Sequence, residues 1–190
     1  MNLFLWGALP YIAFTFLIVG TLVRFFYFER NWTTKSSEFL EKKQLRIANP
    51  LFHFGLLCVI GGHVVGVLIP KTWTAAIGIN DHMYHQGALY MGAVAGIIFI
   101  VGFLLLMKRR FTVPAMKVNT SGLDKWLYLF LTLAIFSGMA GTLLNASGFF
   151  DYRVSIGPWF RSLLAFMPDP SLMEGVPFMF KFHMFAWMAV

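Results

Sequence analysis

Charge is scarce in this sequence. Asp, Glu, Lys and Arg make up 12% of its 190 residues, against about a quarter in an average soluble domain. Cysteine is scarcer still. A single residue, Cys58, excludes an internal disulfide framework and a cluster held by several thiolates, and without a CxxCH motif covalent c-type haem attachment is disfavoured. Cys58 itself is expected to be a small buried apolar residue. Internal repeats and low-complexity tracts are also missing. That disfavours a transporter, which would be expected to show repeat symmetry or broken helices.

What the sequence does have is apolar length. It is 58% hydrophobic, with a mean hydropathy of +0.71. A bilayer core about 30 Å thick needs roughly 20 helical residues to cross. Four runs supply them: Leu3 to Val23, Leu51 to Ile69 between Pro50 and Pro70, Gly87 to Met107, and Trp126 to Phe150, where Asn145 and Ser147 mark an earlier helix end. The first run lacks the basic start of a signal peptide and reads as a retained helix. A fifth run, Pro177 to Val190, has 14 residues, too few to span. It is either a short interfacial helix with Lys181 snorkelling or a spanning helix cut short; the ending on an uncapped Met-Ala-Val favours the second. The expectation is one all-α membrane domain over residues 1–190, a five-helix bundle with helices at about 3–27, 50–69, 87–107, 123–147 and 176–190, the last incomplete.

The net charge of +7 raises the possibility of a nucleic-acid partner, but the cations sit between the apolar runs, where topology-setting Lys and Arg belong. Arg24, Arg30, Lys35, Lys42, Lys43 and Arg46 lie in one connection and Lys108, Arg109, Arg110, Lys117 and Lys125 in another. Only Lys71, Arg153, Arg161 and Lys181 lie in the remaining two. This asymmetry predicts a multi-pass membrane protein with its N-terminus outside and the two basic loops cytoplasmic. The long outer connection from Asn145 to Gly175, with its GPWF and MPDP stretches, is expected to be functional or to fold into short interfacial structure.

Ionisable groups inside membrane helices are functional candidates, and here they are histidines: His53 and His63 in the second helix and His183 in the fifth. Ten residues of helix separate the first two by about 80° around the axis and about 15 Å along it. That is too far to share one ion through metal–nitrogen bonds of about 2 Å. Each can instead bind one axial face of its own haem inside the bundle. His183 falls at the depth of His63, so the two can clamp one haem, while His53 has no visible partner. A lone membrane histidine is as readily packed or hydrogen-bonded; three at matched depths favour haem. Gly61, Gly62 and Gly66 flank His63, either to let a large ring approach the backbone or simply to pack helices closely in lipid. His82 and His85, in the sequence DHMYH, share a face if helical. They are candidates for a metal, for accepting a proton from a quinol, or for ordinary interfacial positions.

These residues resemble a known family. LFHFGLLCVIGGHVVGVLIP, Leu51 to Pro70, resembles the second helix of respiratory nitrate reductase gamma chains. LPYIAFTFLIVGTLVRF from Leu9, KSSEFLEKKQL from Lys35, KRRF from Lys108, SGLD from Ser121, SIGPWFRSLL from Ser155 and SLMEGVPFMFKFHM from Ser171 extend the likeness over essentially the whole chain. Cytochrome b chains of sulfite-reduction and heterodisulfide reductase complexes are looser relatives. The resemblance implies a five-helix membrane cytochrome b with two b haems. The outer, distal haem would be held by His63 and His183. The inner, proximal haem would be held by His53 and a histidine past Val190. Such a chain oxidises menaquinol or ubiquinol at the outer side. It passes electrons through the two haems to a cytoplasmic iron–sulfur beta subunit and on to a molybdenum-containing alpha subunit that reduces nitrate. His85, Tyr84 and Gly62 are the quinol-site candidates. The lysine that some members place near Tyr84–Gln86 is absent here. Two alternatives stand beside this reading: a related quinol-oxidising cytochrome b of another reductase, and a haem-free membrane anchor.

Overall fold

A computed structural model describes residues 2–27 and 40–190; Arg30 and Lys35, two of the charges counted above, lie outside the described residues. Among the described residues every regular element is helical. They run α1 (Phe4–Tyr27), α2 (Lys43–Leu68), α3 (Lys71–Ala76), α4 (Asp81–Thr112), α5 (Pro114–Val118), α6 (Gly122–Leu144), α7 (Ile156–Leu164) and α8 (Phe178–Met188), with a 3-10 turn at Pro170–Met173 before α8. α1, α2, α4 and α6 are long and apolar enough to cross a membrane. α8, with 11 residues, covers about half of a bilayer core. Large apolar side chains such as Phe16, Leu57 and Met91 stand exposed on the outside of the bundle. That surface suits hydrocarbon, because between helices in lipid the driving force is packing rather than escape from water. Cys58 is on this exposed surface and not buried. The expectation fails because a thiol is apolar enough to face lipid as easily as a core.

Helix ends follow local chemistry. Asn80 accepts the Met83 amide (2.9 Å) and starts α4 at Asp81, well before Gly87, so His82, Tyr84 and His85 occupy its first turns. Ser121 and Asp124 form a reciprocal capping box that starts α6. Pro50 does not bracket α2 as expected. The helix begins at Lys43 and carries Pro50 inside it. A proline loses one backbone donor, which a helix supported by its neighbours tolerates.

Two glycines bring α2 against α4. A Cβ on Gly55 would lie 2.5 Å from the Phe99 nitrogen, and one on Gly102 would strike the backbone of Phe52. This small-residue seam lets the backbones touch. Beside it, buried Phe99, Phe103 and Ile135 pack with Phe52, Leu56 and Leu131. α8 lies on α6, and Gly141 faces Met179 and Phe180. The start of α1 is held by ring contacts and hydrogen bonds. Trp6 sits edge-on to Trp159 (5.8 Å) and against Phe185 (5.0 Å). The Trp159 indole donates to the Trp6 carbonyl (2.8 Å) and the Tyr11 hydroxyl to the Leu163 carbonyl (2.8 Å). The long connection between α6 and α8 thus folds into structure of its own, α7 and the 3-10 turn, and forms a second apolar core.

The bundle has two ends. At one, the Arg109 guanidinium, almost fully buried, donates to the Glu41 carboxylate (2.8 Å) and to the Glu41 carbonyl (2.7 Å), and Arg110 pairs with Asp124 (3.2 Å). The Gln44 backbone amide and then Arg109 hold the Glu41 carboxyl below its ordinary value. The other end gathers the start of α1, the end of α2, α3, the start of α4, α7 and the start of α8. The described parts of the two basic connections, 40–46 and 108–125, therefore lie at one end of the bundle.

Candidate functional site

Near the second end, His63 of α2 meets His183 of α8. Their ring centres are 5.9 Å apart, with planes inclined at 31°. Both rings are oriented through Nδ1. The His63 Nδ1 lies 2.7 Å from the Val59 carbonyl of its own helix. The His183 Nδ1 lies 2.9 Å from the Ala134 carbonyl of α6 and 3.2 Å from the Ser137 hydroxyl. A carbonyl only accepts, so Nδ1 carries the proton in each neutral ring and Nε2 keeps its lone pair. This is how ligating histidines are commonly prepared: one ring nitrogen is fixed on an acceptor and the other left free for metal. The separation fits as well. Two imidazoles on opposite faces of one iron, with bonds of about 2 Å, place their ring centres about 6 Å apart. Helix α2 widens into a π turn, Val64–Leu68, directly after His63, a feature frequent at functional sites.

The surrounding glycines divide by role. Among the described residues Gly61 and Gly62 have no neighbour within 4 Å of where a Cβ would stand, so helix packing there does not account for them. Gly138 has the His183 ring against it, with a Cβ there falling 2.7 Å from Cε1. Gly66 packs on Tyr152 and on the Tyr84 hydroxyl.

His53 stands further down α2, toward the end that carries Arg109. Its Nδ1 takes the Asn49 carbonyl (2.9 Å), so it too presents a free Nε2. Its ring contacts Phe52. The other four of the chain's five histidines lie toward the opposite end, and none reaches it. Among the described residues no group of three or more His, Cys, Asp or Glu is placed to hold a metal ion, whereas axial ligation of a haem needs only two imidazoles. The ring separation and tautomers of His63 and His183 therefore fit two ligands of one haem.

The quinol-site candidates do not form one cluster. Gly62 is open. The His85 Nε2 donates to the Ala146 carbonyl (3.1 Å), packed on Gly148, whose φ of +73° suits glycine; its Nδ1 keeps a lone pair. Tyr84 turns elsewhere. Its hydroxyl shares a hydrogen bond with Tyr152, whose phenol burial, first, and then Tyr84 push to higher pKa. The Arg153 guanidinium lies 3.7 Å above the Tyr84 ring.

Sequence reasoning missed three polar residues here, Arg153, Thr74 and Ser137, all buried. Arg153 counted only as a loop cation. In the fold it donates to the Thr74 hydroxyl and stacks on Tyr84, with no carboxylate paired to its side chain among the described residues and no partner at Nε. Nearby, Lys71 bridges Asp81 (2.8 Å) and Asp151 (3.1 Å), and these bonds, Asp81 first, raise its pKa. The Arg161 guanidinium caps the end of α2 through the Val67 carbonyl (2.7 Å).

Comparison with known proteins identifies the family. The sequence profile of the nitrate reductase gamma subunit family matches residues 2–190. The nitrate reductase gamma chain of Bacillus subtilis is 48% identical over 94% of this chain and 81% of its own length. The nitrate reductase-like protein NarX of Mycobacterium tuberculosis is 38% identical over 97% of this chain, which spans 29% of that longer protein. The respiratory nitrate reductase 1 gamma chain of Escherichia coli is 27% identical over 97% of this chain and 82% of its own. With its apolar helices and its paired histidines, this chain belongs to the nitrate reductase gamma subunit family.

Proposed function

We propose that this chain is the quinol-oxidising membrane cytochrome b of a nitrate reductase complex. It lies in a prokaryotic cell membrane with its N-terminus outside, α8 entering the membrane from the outer side as a fifth membrane helix and the Arg109 end facing the cytoplasm. The observation that carries the reading is the His63–His183 pair, with rings 5.9 Å apart and each Nδ1 committed to an acceptor. His63 and His183 hold an outer b haem; His53 supplies one ligand of an inner one. Bound haem supplies a one-electron iron couple, which suits the stepwise removal of two electrons from menaquinol or ubiquinol. The chain's own residues fix the ligand rings, keep Gly61 and Gly62 clear of side chains, and leave the His85 Nδ1 able to take a quinol proton near the outer surface. The electron acceptor is an iron–sulfur beta subunit docked on the cytoplasmic end, which passes electrons to a molybdenum-containing alpha subunit where nitrate is reduced.

A dithionite-reduced minus oxidised spectrum of the protein in its native membrane, with haem quantified per chain, tests this. Two b-type haems are expected. One haem, retained in His53→Ala, keeps the outer site and removes the role of His53. No haem in an inserted chain overturns the reading and leaves a haem-free anchor.

A further inference from the structure

We propose that Ser137 is a positioning residue that strengthens His183 as an iron ligand and thereby sets the potential of the outer haem; this rests on the haem reading above. The three ligand histidines are not oriented alike. His53 and His63 each use the carbonyl four residues back in their own helix, an acceptor open to any helical histidine. His183 takes its acceptors from a different helix. The Ala134 carbonyl lies 2.9 Å from its Nδ1 and the Ser137 Oγ 3.2 Å. The Ser137 hydroxyl hydrogen is itself directed to the Ala134 carbonyl (3.2 Å), so the lone pairs of Oγ face the imidazole N–H. Gly138, the next residue, leaves room for the ring.

An acceptor on Nδ1–H raises the basicity of the ligating nitrogen. A more basic ligand favours ferric over ferrous iron, and hydrogen bonding to a ligand is one of the levers a protein has on haem potential. Ser137 is buried in the bundle, where such a bond is not diluted by water. Removing its hydroxyl takes one acceptor from His183 alone. The competing account is that a serine in a membrane helix simply returns its hydrogen bond to its own backbone. On that account its removal is silent at the haem.

Potentiometric titration of both haems in native membranes, for Ser137→Ala and Ser137→Thr with haem counted per chain, separates the two accounts. In Ser137→Ala both haems are expected to remain. One of them shifts about three- to tenfold toward the reduced form at a fixed ambient potential, the size of one net hydrogen bond, and its low-spin ferric resonance moves. Ser137→Thr keeps the hydroxyl and the wild-type potentials. Loss of the outer haem in Ser137→Ala but not in Ser137→Thr also supports the role of the hydroxyl. Unchanged or lowered potentials in Ser137→Ala, equal shifts of both haems, or the same change in Ser137→Thr overturn the proposal. Absence of haem from the wild-type protein sinks the underlying haem reading instead, so the two failures are distinguishable.

Discussion

Two stretches of α2 use glycine in opposite ways. Around Gly55 the missing side chain is filled by another helix, with the Phe99 backbone of α4 where a Cβ would be. Nearly two turns further on, at Gly61 and Gly62, no described residue stands within 4 Å of where a Cβ would be. The first is the ordinary use of small residues between membrane helices. The second has no packing purpose among the described residues, and it lies beside the histidine that meets His183. From sequence the two uses look identical, because both are glycines in one apolar run. Only their neighbours tell structural from functional glycine.

Gly55→Ala attacks the packed half directly. Its Cβ meets backbone and not a flexible side-chain tip, so α2 and α4 must separate. Overpacking of this kind costs about 1–3 kcal/mol. The expected result is a lower midpoint of thermal unfolding in detergent, with haem lost only as the bundle opens. If Gly55→Ala is as stable as the wild type, the seam is not as tight as described.

His63→Ala attacks the open half. The side chain is exposed on the bundle and hydrogen-bonds its own helix, so the fold is expected to survive while the proposed outer haem is lost. Quantified haem per chain and helix content by circular dichroism read the two effects separately. Gly138→Ala should act on the same haem less completely, since the His183 ring, held by Ala134 and Ser137, has to move away from a Cβ 2.7 Å from Cε1. A shifted or partly lost outer-haem spectrum is the expected outcome. Normal spectra in both variants would remove His183 and His63 as ligands.

Much of this was legible beforehand because a membrane simplifies the code. Runs without charge locate α1, α2, α4 and α6, and histidines stand out where nothing else ionises. Ten residues of helix put His53 and His63 about 15 Å apart, and a fifth segment starting at the outer side brings His183 to the depth of His63, where the two rings meet. What the sequence hid depends on backbone geometry and on contacts between distant segments. The cap at Asn80 lengthened α4 and put His82 and His85 on a helix. The tolerance of Pro50 could not be read from a residue type that usually breaks helices. Arg153 looked like a topology charge; its burial on Tyr84 and Thr74 arises from a loop folding back on α3 and α4. Ser137 looked like one more small helix residue until α8 brought His183 against it. Tyr84 and His85 are adjacent in sequence yet face different neighbours, as successive residues on a helix must.

The finest test of the opening comparison is Gly62→Ala. In the bare chain the added methyl meets nothing, and alanine is a better helix former than glycine by about 1 kcal/mol. Stability of the haem-free protein should therefore stay level or rise slightly. If the space beside His63 serves a haem face or the quinol that reduces it, the same methyl intrudes once that site is in use. Outer-haem content, or the rate at which added quinol reduces it, should then fall. The signature is the opposite sign of the two effects, which a packing glycine such as Gly55 cannot produce. A Gly62→Ala chain that gains stability and keeps full haem and full quinol reduction would mean that the open stretch is merely lipid-facing surface, and that glycine there marks no site.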